Sequence, residues 1–270
     1  MANNIILITG CQRSGTTLMN LILDSHPDIY CIDEDKFSIW LLNSYIHMQY
    51  GKPYLSFKLP RAASMLSFIK DLPDARVLYH LRDPLDVVHS MVKLKIKFEN
   101  TLVSWAAHPA CAQSEITNGI WILDDDVRER LHPHIVRFSE ISRKHPQERN
   151  REECILSGAL CWAIKNEIPA VYDAEGISYH IIRYEDLVTA PRDIIADALD
   201  YIGIRWDDNV LRHHELHQGR SIGLTSNTRK IDNRSVAQGK SNFNADEIAL
   251  IQSVCGDTAD KWHYPITAAE

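Results

Sequence analysis

No stretch of this 270-residue sequence is apolar for the roughly 18–20 residues that a bilayer-crossing helix needs. The N-terminus also lacks a basic segment followed by an apolar one, and residues 1–10 already read as strand and loop. The chain is therefore expected to begin at its fold, to make no membrane contact and to be cytoplasmic. Positive charge is not in excess either: the formal net charge of −7 argues against nucleic acid, because binding a polyanion needs a basic surface. C-x-x-C pairs are missing. The six cysteines, at positions 11, 31, 111, 154, 161 and 255, are scattered, which points to reduced thiols and away from a disulfide framework or a zinc site. Low-complexity segments and internal repeats are lacking as well, so solenoids and other repeat architectures drop out.

What is present fits a globular protein. Hydrophobic residues make up 45% and charged residues 24% of the sequence. The length is enough for a full core, and the chain is read as a single domain over 1–270.

The most informative stretch lies near the start. Ile5-Ile6-Leu7-Ile8 reads as a buried parallel strand, and Leu18-Met19-Asn20-Leu21-Ile22-Leu23 as a helix. Between them, Gly10-Cys11-Gln12-Arg13-Ser14-Gly15-Thr16-Thr17 forms a small-residue loop. A strand, such a loop and a helix N-terminus together make a phosphate cradle, because free N–H groups and the helix dipole converge there. The glycine spacing matches G-x-x-x-x-G-K-[ST], but Thr16 stands where the lysine should be. That lysine normally reaches the outer phosphates of a nucleoside triphosphate, so its absence argues against an ordinary ATPase or GTPase. A Cys-to-Arg phosphatase loop also fails, since Thr17 occupies the arginine's place. The cradle's cation is Arg13, inside the loop.

Further strands are read at Ile29–Ile32, Tyr54–Lys58, Arg76–Leu81 and Ser178–Tyr184. Helices are read at Phe37–Tyr50, Leu85–Leu94, Arg151–Ala174, Pro191–Gly203 and Ala245–Cys255, and Arg61–Lys70 is read as an amphipathic stretch. This alternation predicts an α/β fold: a P-loop-like parallel sheet flanked by helices on both faces. Residues 98–150 have no clean boundaries and are read as a helical insertion or acceptor lid. The tryptophans at 105, 121 and 162 are read as core. In a parallel sheet, ligands collect beyond the carboxyl ends of the strands. Five polar motifs sit just there: the loop at 10–17, Glu34, Lys58, Arg82 and Tyr184-Glu185-Asp186.

At this point the residues resemble a known family. Cys11 to Leu18 is similar to the 5′-phosphosulfate loop of sulfotransferases dependent on 3′-phosphoadenosine 5′-phosphosulfate (PAPS). Leu81-Arg82-Asp83-Pro84 through His89-Ser90-Met91 resembles their 3′-phosphate motif, an arginine followed eight residues later by a serine. Arg183-Tyr184-Glu185-Asp186-Leu187 matches a third recurrent segment. The Arg-Ser-Gly-Thr-Thr loop with His26-Pro27-Asp28 is closest to the tyrosylprotein sulfotransferase-like and bacterial branch.

The resemblance implies Arg13, Ser14, Gly15, Thr16 and Thr17 around the 5′-phosphosulfate, with Arg82 and Ser90 on the 3′-phosphate. Tyr184, Thr225 and Lys240 would be further nucleotide contacts. It implies Glu34 as catalytic base, with Lys58 and Arg13 stabilising the transferring group. Asp33 and a histidine remain as competing bases. Leu94 departs from the pattern, which has a basic residue there; Lys93 or Lys95 would be its substitute. No metal is needed in principle, since sulfuryl transfer, like phosphoryl transfer, is an in-line displacement whose charge fixed cations and N–H donors can stabilise.

Two other classes stay open: a P-loop-type small-molecule or nucleotide kinase, and a non-catalytic nucleotide-binding module. For the acceptor, the acidic balance and the Asp33–Asp35 cluster suit a small, cationic hydroxyl or amine compound of a specialised biosynthetic pathway better than a peptide tyrosine.

Overall fold

The computed structural model describes residues 4–38, 51–72, 74–217 and 228–267. The chain resolves into two compact units: Met1–Leu81 with Ile177–Asn233, and Arg82–Gly176 with Arg234–Glu270. In chain order the described strands are β1 (Asn4–Gly10), β2 (Ile29–Asp33), β3 (Tyr54–Lys58), β4 (Arg76–Leu81), β5 (Lys95–Phe98), β6 (Thr101–Ser104) and β7 (Tyr179–Arg183).

The first unit is built on a five-stranded sheet in the order β2-β3-β1-β4-β7, and every neighbouring pair is parallel. Its strands read as continuous aliphatic runs because a parallel sheet is covered on both faces. On one face Ile6, Ile8, Leu78 and Ile182 pack with Met19, Ile22 and Leu23 of the helix Thr16–Asp24. Ile195, Ala198, Leu199 and Ile202 of the helix Pro191–Ile202 complete that cluster. The apolar side chains of both helices recur every three or four residues, so each presents one stripe to the sheet. On β3, Phe57 meets Phe37 edge-on, and Phe37 meets Phe68 of the short helix Leu66–Lys70 in the same way. The central strand β1 pairs with both β3 and β4 and is buried along all but its first residue.

The second unit is largely helical. The 24-residue helix Arg151–Ala174 is its axis, and Trp162 and Ile164 on it are fully buried. It opens with a reciprocal capping box between Asn150 and Glu153, which is why it starts where the sequence pattern does. The helices Pro84–Lys93 and Ala245–Lys261 pack against it. Inside this unit lies a buried ion pair, Lys165 Nζ to Glu115 Oε2 at 2.5 Å.

Most sequence-predicted elements are present, and the structure adds detail or corrects the reading in four places. Residues 98–150 are not purely helical: β5 and β6 form an antiparallel hairpin that enters this segment, followed by the helices Ser114–Ile120 and Asp125–Ser142. The stretch Arg61–Lys70 is two pieces, a 3-10 turn over Pro60–Ser64 and the helix Leu66–Lys70. The last helix runs on to Lys261, because Thr258 is buried with its hydroxyl donating to Glu167 Oε1 at 2.6 Å. Trp121 is 72% exposed and so is not core, unlike Trp105 and Trp162. Of the helix read over Phe37–Tyr50, Phe37 and Ser38 are non-helical and the rest lies outside the described residues.

Two histidines of the first unit are fully buried. Burial drives the His80 pKa down to about 3, with the Ser14 backbone acting in the opposite direction. Burial, then the neighbouring His214 and His217, lowers that of His213 to about 4. Both are neutral in the fold, yet take up protons below about pH 6.5 once the chain unfolds. Their contribution is complete above that pH and is lost as pH falls toward the native values, at a slope on the order of 1 kcal/mol per pH unit per group. Urea unfolding measured between pH 7 and 4.5 should therefore show a shallower loss of stability for His80→Gln than for the wild type. Parallel curves would refute the buried neutral state.

Candidate active site

The loop after β1 is fixed at both ends by close packing. Gly10 pairs with His80 in the β1–β4 ladder and has φ of 120°; a Cβ there would lie 2.4 Å from the His80 carbonyl oxygen. Arg13 also has positive φ, at 70°, and Gly15 follows at 91°. Only glycine occupies such backbone geometry without strain, so two of the three positions are glycine by necessity. Gly15 is the N-cap of the helix Thr16–Asp24 and supplies no side-chain cap, which leaves that helix N-terminus to a ligand. Tyr184 closes the other side: a Cβ on Gly15 would lie 2.6 Å from the Tyr184 ring. Within the loop, Ser14 Oγ and Gln12 Oε1 are buried and have no hydrogen-bond partner. Unsatisfied buried groups cost about 1–3 kcal/mol each, so a pair of them in a phosphate-type cradle marks a place for polar ligand atoms. The residues present fit an anionic phosphosulfate group.

Two strands away, β2 and β3 pair in parallel with Asp33 opposite Lys58. Both are last residues of their strands, so their side chains arrive at the same carboxyl edge as the loop. Lys58 Nζ donates to Glu34 Oε1 at 2.6 Å and lies 2.9 Å from Asp33 Oδ1. The lysine side chain is only 4% exposed and that of Asp33 12%, whereas that of Glu34 is 39% exposed. A desolvated ammonium is thus held by two carboxylates, one inward and one facing solvent. Asp33 Oδ2 has no hydrogen-bond partner.

In the second unit, Arg82 is buried and heads the turn into the helix Pro84–Lys93. Asp83 caps that helix by accepting from the Asp86 amide at 3.1 Å, and Pro84 fills its first turn. Arg82 Nη2 donates to the Ser235 carbonyl and lies 3.6 Å from Asp86 Oδ2. Trp162 Nε1 donates to the Arg82 carbonyl at 2.9 Å. Asp86, 1% exposed, accepts from the amides of Ala237 at 2.9 Å and Gly239 at 2.7 Å. Gly239 is pressed on the same helix start, where a Cβ would lie 2.2 Å from the Leu85 carbonyl carbon. Ser90 is half-buried on that helix, and Lys240 follows Gly239 with its Nζ 3.4 Å from Thr267 Oγ1.

The structure therefore gathers Arg13, Ser14, Gly15, Thr16, Thr17, Glu34, Lys58 and Tyr184 on elements of the first unit. Arg82, Ser90 and Lys240 lie in the second. Thr225 lies outside the described residues. Asp86 was not singled out from the sequence, although it anchors the 235–239 turn. Its only signal was an acidic residue in the first turn of a Pro-started helix, a common feature of any helix N-terminus.

A parallel sheet with a lysine-free phosphate loop after its central strand defines the class, an α/β protein of the P-loop-like type. Comparison with known proteins narrows it. The model of the Sulfotransferase family matches residues 5–41, which hold the loop and Glu34. Protein-tyrosine sulfotransferase of Drosophila melanogaster is 25% identical over 84% of this chain and 44% of that protein. Protein-tyrosine sulfotransferase 1 of Homo sapiens is 31% identical over 34% of this chain and 35% of that protein. The chain thus spans about half or less of these relatives' length. Among solved structures, the sulfotransferase domain of the Synechococcus PCC 7002 olefin synthase aligns over 93% of this chain and 94% of that one. Its TM-score is 0.55 at 16% identity. The sulfotransferase domain from the curacin biosynthetic pathway aligns over 98% and 99%, also with a TM-score of 0.55, at 15% identity. Over residues 5–41 the chain thus resembles the Sulfotransferase family, and its fold is similar to that of solved sulfotransferase domains.

Asp86 offers a direct check on the second unit. Asp86→Ala removes two charge-assisted acceptor contacts, one from the buried Gly239 amide and one from the part-buried Ala237 amide, and should cost about 2–4 kcal/mol of stability. Hydrogen exchange at Ala237 and Gly239 should accelerate well beyond that of the helix Arg151–Ala174. Unchanged exchange at those two amides would show that the carboxylate does not hold the turn.

Proposed function

We propose that the protein transfers the sulfuryl group of PAPS to a hydroxyl or amine of a small-molecule acceptor by in-line displacement. Residues 1–270 are read as one sulfotransferase domain acting in the cytoplasm, with 98–150 on the acceptor side. The observation that carries this reading is the Glu34–Lys58–Asp33 group on the sheet edge that also bears the Arg13 loop.

The transition state spreads negative charge over the transferring group and the leaving oxygen, so fixed cations and N–H donors are the chemistry needed. Arg13 and Lys58 are assigned to that charge, and Ser14 to Thr17 to the 5′ end of the donor. Arg82 and Ser90, with Lys240, Tyr184 and Thr225, are assigned to the rest of the nucleotide, following the family resemblance. The two carboxylates divide their work by exposure. Asp33, largely buried, anchors Lys58; Glu34, open to solvent, reaches an acceptor and takes its proton as attack proceeds. This supports Glu34 over Asp33 as base. A non-catalytic nucleotide-binding module would have no use for a cation and an open carboxylate beside its phosphate loop, and a kinase would want the loop lysine.

A peptide tyrosine is the competing acceptor, favoured by the names of the protein-tyrosine sulfotransferase relatives. The acidic run Asp33-Glu34-Asp35, whose charge Lys58 offsets in part, supports a small cationic acceptor instead.

Calorimetry separates the donor hypotheses. 3′-Phosphoadenosine 5′-phosphate, the desulfated product, should bind at least tenfold more tightly than ATP; tight ATP binding with none for the bisphosphate would overturn the donor assignment. Glu34→Ala should keep the bisphosphate affinity within about threefold and lose about 10²–10⁴-fold in transfer rate. Transfer to small amines and phenols, compared with a tyrosine peptide using labelled PAPS, decides the acceptor. A Glu34→Ala rate equal to wild type would remove Glu34 as base.

A further inference from the structure

The second unit holds a cavity of about 660 Å³, bounded by the helix Pro84–Lys93, the β5–β6 hairpin and the segment 146–154. That volume is in the range of pockets that enclose small organic ligands. Neither Arg82 nor Ser90 lines it. Its charge is one-sided: Lys93, Lys95, Arg149 and Arg151 line it, and no carboxylate does. In a chain with net charge −7, this segregation is not what composition alone would deliver.

The carboxylates nearby are engaged mainly with other partners. Glu153 pairs with Lys144 and belongs to the capping box of the helix Arg151–Ala174, and it also offsets part of the Arg149 charge. Asp86 serves Arg82 and the Ala237 and Gly239 amides. Glu247 pairs with Arg151 at 2.6 Å, so Arg151 is neutralised in part. Lys93 and Lys95 have no carboxylate within ion-pair distance among the described residues. Arg149 is 7% exposed; its Nη2 bonds Gln113 and the carbonyls of Ser142 and Lys144, while Nε and Nη1 are buried without a partner. Cations held together with fewer counter-ions than charges repel, and the arrangement is stabilised when an anion sits among them. His89, also in the lining, feels this field: after burial, Lys93 and Arg151 are the next causes that lower its pKa, against Asp86, which raises it.

The rest of the lining is apolar or neutral. Val103, Ala107 and Pro146 are buried in the floor, and Leu102 stands exposed at 68% on the rim. Asn150, the N-cap of the long helix, adds the positive end of a helix dipole. An inorganic ion would use the cations and leave the floor unused. We infer that this cavity is a second binding site, distinct from the Arg82–Ser90 element, for a small organic oxyanion: a carboxylate or phosphoryl group on a compact apolar body. The inference does not depend on the sulfuryl-transfer reading.

Titration with 1-naphthyl phosphate, 1-naphthoate and uncharged 1-naphthol, in saturating 3′-phosphoadenosine 5′-phosphate, tests it. At least one of the two anions should bind, and at least tenfold more tightly than naphthol. Which of the two binds better tells whether a phosphoryl or a carboxylate ligand is the natural one. Lys93→Gln/Lys95→Gln should raise the dissociation constant at least tenfold, with the circular dichroism of the fold unchanged. Leu102→Glu, at an exposed position, should weaken binding as well by placing a negative charge on the rim. Three outcomes would overturn the site: no binding of either anion, loss of binding when the nucleotide is added, or wild-type affinity in both the lysine and the Leu102 variants.

Discussion

The pairing of β1 with β4 continues to the last residue of β1, and everything at the carboxyl edge of the first unit depends on that close approach. At Gly10 the two backbones leave no room for even a methyl group, since its Cβ would sit 2.4 Å from the His80 oxygen. The chain must leave the sheet there at φ of 120°, and positive φ at Arg13 and Gly15 then winds it directly into a helix N-terminus. The same sheet sets the other wall. β7 pairs with β4 up to Arg183, and the next residue, Tyr184, lies against Gly15. Loop shape is thus inherited from strand register, which the close approach of Gly10 to His80 marks at the end of the ladder.

This explains which features could be read in the sequence. Aliphatic runs such as Ile5–Ile8 and Val77–Leu81 announce parallel strands, because burial on both faces leaves no alternating polar positions. Motifs written by neighbouring residues, such as Gly10 to Thr17 or Arg82 with Pro84, were readable for the same reason: their geometry is local. Asp86 was not. Its partners are backbone amides 151 and 153 residues away, and an amide carries no side-chain identity by which a sequence could advertise it. The hairpin β5–β6 was missed because its strands are four residues long and half exposed, too short for a period to emerge. Trp121 shows the limit of residue type as a guide, since a large aromatic at a helix C-terminus faces solvent at 72% exposure.

Charge is where a whole-chain number misleads most. A net charge of −7 excludes a broad basic surface and says nothing about separations of a few ångströms. In the first unit, Asp33 and Glu34 belong to the acidic run read as suiting a cationic acceptor, yet both contact Lys58. Part of that acidity is therefore spent inside the protein, and the net field offered to an acceptor is smaller than the sequence run implies. In the second unit the sign reverses, with four cations and no carboxylate around one cavity.

The position of Lys58 shows how a nearly buried cation can leave one of its carboxylate partners open to solvent. A nearly buried ammonium is costly unless paired, and a single fully buried carboxylate would satisfy it as a closed ion pair with nothing left over for chemistry. Two carboxylates of unequal exposure solve this differently. The inward one compensates the lysine's desolvation, and the outward one shares the cation while keeping an oxygen in solvent. The lysine then orients the outward carboxylate through a 2.6 Å hydrogen bond without sequestering it. That asymmetry follows from backbone alone: Asp33 is the last residue of β2 and faces Lys58 across the ladder, whereas Glu34 begins the turn that leaves the sheet. Adjacent acidic residues of nearly the same chemistry are thereby given different work by the point at which a strand ends.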